Sequence, residues 1–199
     1  MQTKKKVVIY GGTFNPPHIG HAAAIETVTR LFSCDEIWLM PTADRRDKTV
    51  GTAGGHRLKM LEIMIDELFP TAKTFIKISR MELERPRLTT TYETKLELEA
   101  AYPSYKFYFL IGSDIVGDIE KKWVNGDELF RTARFIIMKR PLDVLPERLP
   151  PQITILDKGF KYVDISSTFI RALLAKGHSG APYLISGVAE YIKNNGLYR

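Results

Sequence analysis

Short apolar runs alternate with segments of helical periodicity along this 199-residue chain. The apolar runs predict six strands, at 6–10, 36–41, 74–79, 106–111, 134–139 and 153–157. The periodic segments predict six helices, at 20–32, 55–68, 91–101, 127–132, 167–176 and 186–195. This alternation indicates an α/β fold, a doubly wound parallel sheet with helices on both faces. The length suits one domain, which we expect to span residues 1–199.

The composition predicts a globular chain with anionic ligands. The net charge is +6, from 29 Lys and Arg against 23 Asp and Glu, which suits small phosphorylated substrates as well as nucleic acid. No apolar stretch approaches the roughly 20 residues that span a bilayer, so we expect no membrane partner. Lys4-Lys5-Lys6 precedes only four apolar residues, too few for a signal peptide. A single cysteine, Cys34, excludes an internal disulfide and predicts a cytoplasmic location.

The turn after the first predicted strand concentrates residues that suit a polyphosphate. This turn reads Gly11-Gly12-Thr13-Phe14-Asn15-Pro16-Pro17-His18-Ile19-Gly20-His21. Glycine lets the backbone approach a ligand, and a helix N-terminus offers unpaired N–H groups with partial positive charge. His18 and His21 are three residues apart, so they face the same way at a helix start. Open α/β sheets bind nucleotides at such strand ends, which predicts a Rossmann-like fold with its nucleotide here.

A second motif lies near the C-terminus, where hydroxyl residues precede a helical run. This motif reads Ile165-Ser166-Ser167-Thr168-Phe169-Ile170-Arg171. Thr168 and Arg171 are three residues apart, so they share a face near the helix start. A hydroxyl, a guanidinium and free N–H groups together suit a phosphate. The alternative is an ordinary N-cap serine before an amphipathic helix, which leaves Arg171 without a role.

Together the two motifs carry a resemblance to a known enzyme family. A first-strand GGTFxPxHxGH followed by a late ISSTxIR resembles the nucleotidyltransferase superfamily. Within it, the chain is similar over nearly its whole length to nicotinate- or nicotinamide-mononucleotide adenylyltransferases. Four further segments match the family in the same order. Residues 89–94 are similar to the family's SYTxxT segment, and Gly112-Ser113-Asp114 with Trp123 to its GxD…W segment. Arg140-Pro141 resembles the family's RP, and Tyr191 to Tyr198 resembles its terminal YI…LY. Asn15 stands where many bacterial members have Asp, and residues 41–48 replace a proline-histidine-lysine loop.

The resemblance implies a displacement at phosphorus. The phosphate of a pyridine mononucleotide attacks the α-phosphorus of ATP, which gives a dinucleotide for NAD biosynthesis and releases pyrophosphate. Since a phosphate nucleophile is already anionic at pH 7, no general base is needed, and catalysis rests on positioning and charge neutralisation. Mg²⁺ is the expected cofactor, held mainly by substrate phosphates and water, with no metal site formed by the protein.

The matching residues take implied roles. The catalytic set is His18, His21, Arg171 and Lys48. The ATP-binding set is Gly11, Gly12, Thr13, Phe14, Gly20, Gly112, Asp114, Ile165, Ser166, Ser167 and Thr168. The mononucleotide-binding set is Asn15, Thr89, Thr90, Thr91 and Trp123. In these roles the histidines donate to the ATP phosphates, Asp114 accepts from ribose hydroxyls, and Trp123 stacks on the pyridine ring.

Three of these residues also have purely structural interpretations. Asp114 could cap a helix, and Trp123 could be a half-buried surface tryptophan. Thr90 stands three residues before Glu93, which is capping-box spacing and predicts a helix start near Thr91.

Other functions are also open on the sequence. His18-Ile19-Gly20-His21 matches the signature of class I aminoacyl-tRNA synthetases, but 199 residues leave no room for an anticodon domain. Phosphopantetheine adenylyltransferase is the nearer alternative, although it usually has Thr in place of His18. A non-catalytic basic protein that binds nucleic acid is the third, but no predicted strand face clusters aromatic and basic residues, so we expect no nucleic-acid partner. The sequence does not decide whether the acceptor is the nicotinate or the nicotinamide mononucleotide. It also does not decide whether the chain forms a homo-oligomer.

Overall fold

The computed structural model describes residues 3–43, 51–72, 74–85, 89–159 and 163–199. These residues form one six-stranded sheet, with β1 Lys5–Gly12, β2 Glu36–Pro41, β3 Ile76–Ile78, β4 Tyr105–Gly112, β5 Phe135–Met138 and β6 Thr154–Leu156. The order is β3-β2-β1-β4-β5-β6, and every neighbouring pair is parallel. This is the strand order of the doubly wound α/β fold, so the predicted fold class is confirmed.

Seven α-helices connect and flank the strands in the described part of the chain. They are α1 Ile19–Leu31, α2 Gly54–Leu68, α3 Thr91–Ala101, α4 Val116–Lys122, α5 Gly126–Thr132, α6 Ser167–Ala175 and α7 Ser186–Asn194. The six predicted helices are confirmed, and α4 was missed. It is only seven residues long and buries only Val116 and Ile119, which is too short for a helical stripe to be recognised.

The sheet is buried on both faces. Val7 and Val8 point to opposite faces of β1, and both are fully buried. On the Val8 face, apolar residues of α1, α2, α6 and α7 form one core. On the Val7 face, residues of α3, α4 and α5 form a second core. Helices therefore cover both faces, as predicted, and the near-continuous apolar strands follow from this double burial.

The topology leaves a crevice at the carboxyl ends of β1 and β4. The chain leaves β1 toward β2 on one side, whereas β4 begins the other half of the sheet. Connections that leave in opposite directions open a space between them, which is the usual ligand position in such sheets. In the described part of the chain, no helix combines the length and the apolar composition that a membrane span requires.

Candidate active site

A cavity of about 380 Å³ opens at the carboxyl ends of β1, β4 and β5, and its volume suits a small-molecule ligand. Its walls come from the turn after β1, the start of α1, the ends of β4 and β5, and the start of α6. The predicted site residues that line it are Thr13, Asn15, His18, Gly20, His21, Gly112, Ile165, Ser166, Ser167, Thr168 and Arg171. The two motifs, far apart in sequence, are therefore adjacent in the fold.

Two histidines cap the start of α1 reciprocally. The backbone N–H of Gly20 donates to Nδ1 of His18 at 3.2 Å. The backbone N–H of His18 in turn donates to Nδ1 of His21 at 3.1 Å. A Cβ at Gly20 would lie 3.0 Å from the His18 ring, so the absence of a side chain at Gly20 leaves room for the imidazole. Both rings thus use Nδ1 as an acceptor, which leaves Nε2 to carry the proton in each neutral imidazole.

Burial keeps both histidines neutral. It lowers the pKa of His18 to about 4. Burial also lowers the pKa of His21 well below its usual range, and the nearby His18 lowers it further. The ring centroids are only 3.8 Å apart, too close for two imidazolium ions to be stable in a buried site. At neutral pH the pair therefore presents two neutral Nε2–H donors at the start of a helix.

We expect the free energy of unfolding to fall as pH decreases from about 6.5 to about 4. In this range the unfolded chain protonates His18 near its ordinary pKa of 6.5, but the folded chain protonates it only near 4. The unfolded state then binds more protons, so acid favours unfolding by up to about 1.4 kcal/mol per pH unit for each such histidine. Above 6.5 the residue is neutral in both states and its contribution is constant.

Urea unfolding at a series of pH values tests this expectation. His18→Asn keeps an acceptor for the Gly20 N–H but removes the titrating ring, so its stability should fall less steeply with acid than that of the parent. His178→Asn, at an exposed histidine, is the matched control and should keep the parental slope. Equal slopes for all three proteins would contradict the neutral-histidine assignment.

The start of α6 is tied to the turn after β1. Nη1 of Arg171 donates to the backbone oxygen of Asn15 at 2.8 Å, across a separation of 156 residues. Nη2 of Arg171 donates to Oγ1 of Thr168 at 3.2 Å. The hydroxyl of Ser167 donates to the backbone oxygen of Pro16 at 2.8 Å. These bonds hold the guanidinium at the cavity wall with further N–H donors available for a phosphate.

Ser166 performs the capping role that the sequence suggested. Its hydroxyl accepts from the backbone N–H of Phe169 at 3.2 Å, so it is the N-cap of α6. It also lines the cavity, so the capping and binding interpretations of this motif are compatible.

The apolar wall of the cavity was not predicted from the sequence. Leu110, Ile111, Met138 and Val163 line it beside Ile165. They cluster where β4 and β5 end and α6 approaches. As single apolar residues at strand ends they have no sequence signal that separates them from core. This wall offers a flat base an apolar surface, whereas His18, His21 and Arg171 offer donors to phosphates.

Arg140 is a further lining residue that was not predicted from the sequence to belong to the site. It was recognised only as part of the Arg140-Pro141 match. The structure places it on the cavity wall, with Nη2 3.3 Å from Oδ1 of Asp114. Its backbone N–H donates to the hydroxyl of Ser113 at 2.8 Å, which joins the exit of β5 to the exit of β4.

Asp114 lies beside the cavity and not on its wall. It lies in a short 3-10 turn, Ser113–Ile115. The N-cap of α4 is Ile115, so the alternative that Asp114 caps this helix is wrong. Its carboxylate pairs with Arg140, and both side chains are half-exposed. Its contact with ribose hydroxyls stays a prediction.

Gly11, Gly12 and Phe14 do not line the cavity. Phe14 is fully buried with a left-handed φ of 47°, and its ring centroid is 4.9 Å from that of His21. A Cβ at Gly12 would lie 3.2 Å from the Phe14 ring. Phe14 therefore packs against the His21 ring and Gly12 leaves room for the Phe14 ring, so these two residues shape the site without forming its surface.

The predicted mononucleotide residues after β3 have structural partners outside the cavity. Thr90 is the N-cap of α3, where Glu93 N donates to Oγ1 of Thr90 at 3.2 Å and Thr90 N donates to Oε2 of Glu93 at 2.9 Å. The predicted capping box is thus confirmed. Thr89 and Thr91 flank this cap. Trp123 is the C-cap of α4 and packs, partly buried, against the Val7-face core.

Lys48 lies outside the described residues. Among those described, no group of three or more His, Cys, Asp or Glu side chains could hold a metal ion. No carboxylate is found among the described residues of the cavity wall.

Comparisons with known proteins agree with this geometry. Residues 9–173 match the model of the cytidylyltransferase-like family. Two proteins named "probable nicotinate-nucleotide adenylyltransferase", from Oceanobacillus iheyensis and Streptococcus pyogenes, are 34% and 33% identical to this chain over 98% of it, and over 97% and 90% of their own lengths. The structure of Plasmodium falciparum nicotinic acid mononucleotide adenylyltransferase complexed with NaAD matches with a TM-score of 0.86 and 29% identity, covering 98% of this chain and 97% of that one. The chain therefore belongs to the nicotinate-nucleotide adenylyltransferase family, whose enzymes share the cytidylyltransferase-like fold.

Proposed function

We infer that this protein transfers the adenylyl group of ATP to the phosphate of a pyridine mononucleotide, which gives a dinucleotide and pyrophosphate. One observation carries this inference: donors from two distant segments converge on a single cavity. His18 and His21 come from the start of α1, and Thr168 and Arg171 from the first turns of α6. The apolar wall at the ends of β4 and β5 completes a site suited to both the base and the phosphates of a nucleotide.

We propose nicotinate mononucleotide as the acceptor. The bacterial relatives are named for nicotinate nucleotide, and the Plasmodium falciparum enzyme was solved with NaAD and, separately, with APC. The ring carboxylate gives nicotinate one more negative charge than nicotinamide. A chain with a net charge of +6 favours the more anionic of the two ligands.

The residues of the cavity suit a reaction that needs no base. The mononucleotide phosphate is already a nucleophile, so the work is to hold it in line with the α-phosphorus and to stabilise charge on the non-bridging oxygens. The two Nε2–H donors of His18 and His21 are fixed by the capping bonds before substrate arrives. Preorganised donors in a buried site need little reorganisation in the transition state, which makes them effective. Arg171 supplies the positive charge that the neutral histidines lack.

We propose that Mg²⁺ enters with ATP, held by phosphate oxygens and water. The described residues of the cavity wall offer hydroxyls, imidazoles, an amide and guanidinium groups but no carboxylate. Mg²⁺ is commonly bound through substrate phosphates in nucleotide sites, and this donor set fits such a mode.

An assay of pyrophosphate release with each acceptor tests the proposed function. With ATP and Mg²⁺, we expect nicotinate mononucleotide to give a kcat/KM at least roughly tenfold above nicotinamide mononucleotide, because a bond to a charged group contributes about 1.5–3 kcal/mol. Phosphopantetheine is the control acceptor and should give no product. Pyrophosphate release with phosphopantetheine but with neither mononucleotide would show that the proposed acceptor is wrong. Equal kcat/KM values for the two mononucleotides would contradict the nicotinate preference.

Several sequence-based expectations stay predictions. They are a cytoplasmic location, the absence of a nucleic-acid partner, and the capacity to form a homo-oligomer. The ring-stacking role of Trp123 and the contacts of Thr89, Thr90, Thr91 and Lys48 with substrate also stay predictions.

A further inference from the structure

Asn15 holds a central position between the two motifs. It lines the cavity, and only 5% of the residue is exposed. Its side-chain oxygen Oδ1 accepts from the hydroxyl of Tyr198 at 2.5 Å, across a separation of 183 residues. Its backbone oxygen accepts from Arg171. Among the described residues, no hydrogen bond involves its side-chain nitrogen Nδ2.

Backbone oxygens on either side of Asn15 also accept from protein donors. Nη1 of Arg57 donates to the backbone oxygen of Thr13 at 2.9 Å, and the hydroxyl of Ser167 donates to that of Pro16 at 2.8 Å. Both oxygens of Asn15 are occupied as well, so the backbone oxygens of Thr13, Asn15 and Pro16 and Oδ1 of Asn15 all accept from the protein. The Asn15 amide has two ends, so fixing Oδ1 against Tyr198 fixes the direction of the NH₂ group. That group is then available as a donor to a ligand.

Tyr198 is itself held in a defined position as a donor. Burial raises the pKa of its phenol, while a hydrogen bond from Thr52 and the charges of Arg171 and Arg57 oppose the rise. The phenol is therefore protonated at neutral pH, and with Thr52 donating to its oxygen, its own proton goes to Asn15. Its backbone has a left-handed φ of 62°, which a large side chain rarely adopts. Strain of this kind persists where surrounding structure holds a residue in place, often near functional sites.

We propose that Tyr198 is a positioning residue, which sets the orientation of the Asn15 amide so that its NH₂ group donates to the phosphate of the acceptor mononucleotide. The inference rests on the proposed function, in which the histidines donate to the ATP phosphates. It assigns the Asn15 contact to the acceptor, because Oδ1 of this cavity-lining side chain is occupied by Tyr198 and, among the described residues, Nδ2 has no hydrogen-bond partner in the protein. The penultimate residue of the chain would thus act on substrate binding through Asn15, without touching substrate.

Tyr198→Phe removes the hydroxyl and keeps the ring that packs against the Val8-face core. We expect the KM for the mononucleotide to rise roughly three- to tenfold, the usual effect of one neutral hydrogen bond, with kcat and the KM for ATP within twofold of the parent. In an Asn15→Ala background, Tyr198→Phe should have no further effect on the KM for the mononucleotide. Such non-additivity is the signature of action through a shared partner.

Tyr191→Phe is the matched control. Tyr191 packs against the same core, and its hydroxyl contacts Nδ1 of His56 at 2.9 Å, away from Asn15. This variant should keep parental KM values, and thermal melts of all variants separate binding effects from loss of fold. The inference is overturned if Tyr198→Phe leaves the mononucleotide KM unchanged, raises both KM values alike, or has its full effect in the Asn15→Ala background. The parent enzyme by itself tests the proposed function. If it synthesises no dinucleotide, the proposed function is wrong, and the contact of Asn15 with the acceptor is wrong as well.

Discussion

Replacing His21 by alanine is expected to lower kcat by about 10²–10³-fold while the KM for ATP changes only a few-fold. Loss of one preorganised donor to a developing negative charge typically has an effect of this size. In the proposed function the Nε2–H of His21 is such a donor, because its Nδ1 is occupied by the backbone N–H of His18. Its neutral state means that the lost contribution is a hydrogen bond and not a net charge.

Two amide substitutions separate the catalytic role of His21 from its capping role. His21→Asn places an acceptor near the position of Nδ1 and so preserves the cap, but it has no donor at the position of Nε2. His21→Gln can place a donor near Nε2, and a glutamine at the third helical position can still accept from the N-cap N–H. We therefore expect both variants to be stable, the asparagine variant to be slow and the glutamine variant to be faster. Steady-state kinetics beside thermal melts measure both properties.

The control for this series is His178→Ala, the same substitution at an exposed residue. It should retain parental kcat and melting temperature. If His21→Ala stays within a few-fold of the parent in kcat, or if the activities of the variants simply follow their melting temperatures, His21 is a structural residue.

Arg171→Lys is expected to lower kcat/KM for ATP by about 10²-fold. The guanidinium donates to Asn15 and Thr168 through separate nitrogens and keeps further N–H groups in the same plane for a phosphate. An ammonium group preserves the charge but cannot hold both protein bonds and a paired phosphate contact. Bonds between charged groups and phosphate contribute about 1.5–3 kcal/mol each, and the loss of one to two accounts for this effect.

Arg131→Lys provides the matched control, since Arg131 is exposed on α5 and its Nε bonds only to the backbone oxygen of Asp127. It should leave both kinetic constants unchanged. Parental kcat and KM for ATP in Arg171→Lys would mean that charge alone suffices, and the paired contact with phosphate would be wrong.

The strands, most helices and both site motifs could be predicted because their signals are local. A buried strand is an apolar run of five or six residues, and a capping box is a spacing of three residues, as at Thr90 and Glu93. The predicted site residues of 13–21 and 165–171 that line the cavity belong to continuous motifs of this kind. α4 was missed because seven residues do not complete a periodic stripe.

The remaining site residues depend on which strands are neighbours. Met138 and Arg140 reach the cavity because β5 pairs with β4, and Leu110 and Ile111 because β4 pairs with β1. No local pattern distinguishes these residues from ordinary core or surface residues.

By itself, the sequence determined the α/β class, the positions of the strands, and the two motifs that we propose to bind phosphates, because each depends on spacing within a few residues. Only the tertiary structure decided that His18 and His21 are neutral donors with fixed tautomers, because burial depends on the whole fold. It alone also placed Tyr198 against Asn15 and Arg171 against the same residue. Such contacts form only after strand order brings the ends of the chain together, and no spacing along the sequence encodes that order.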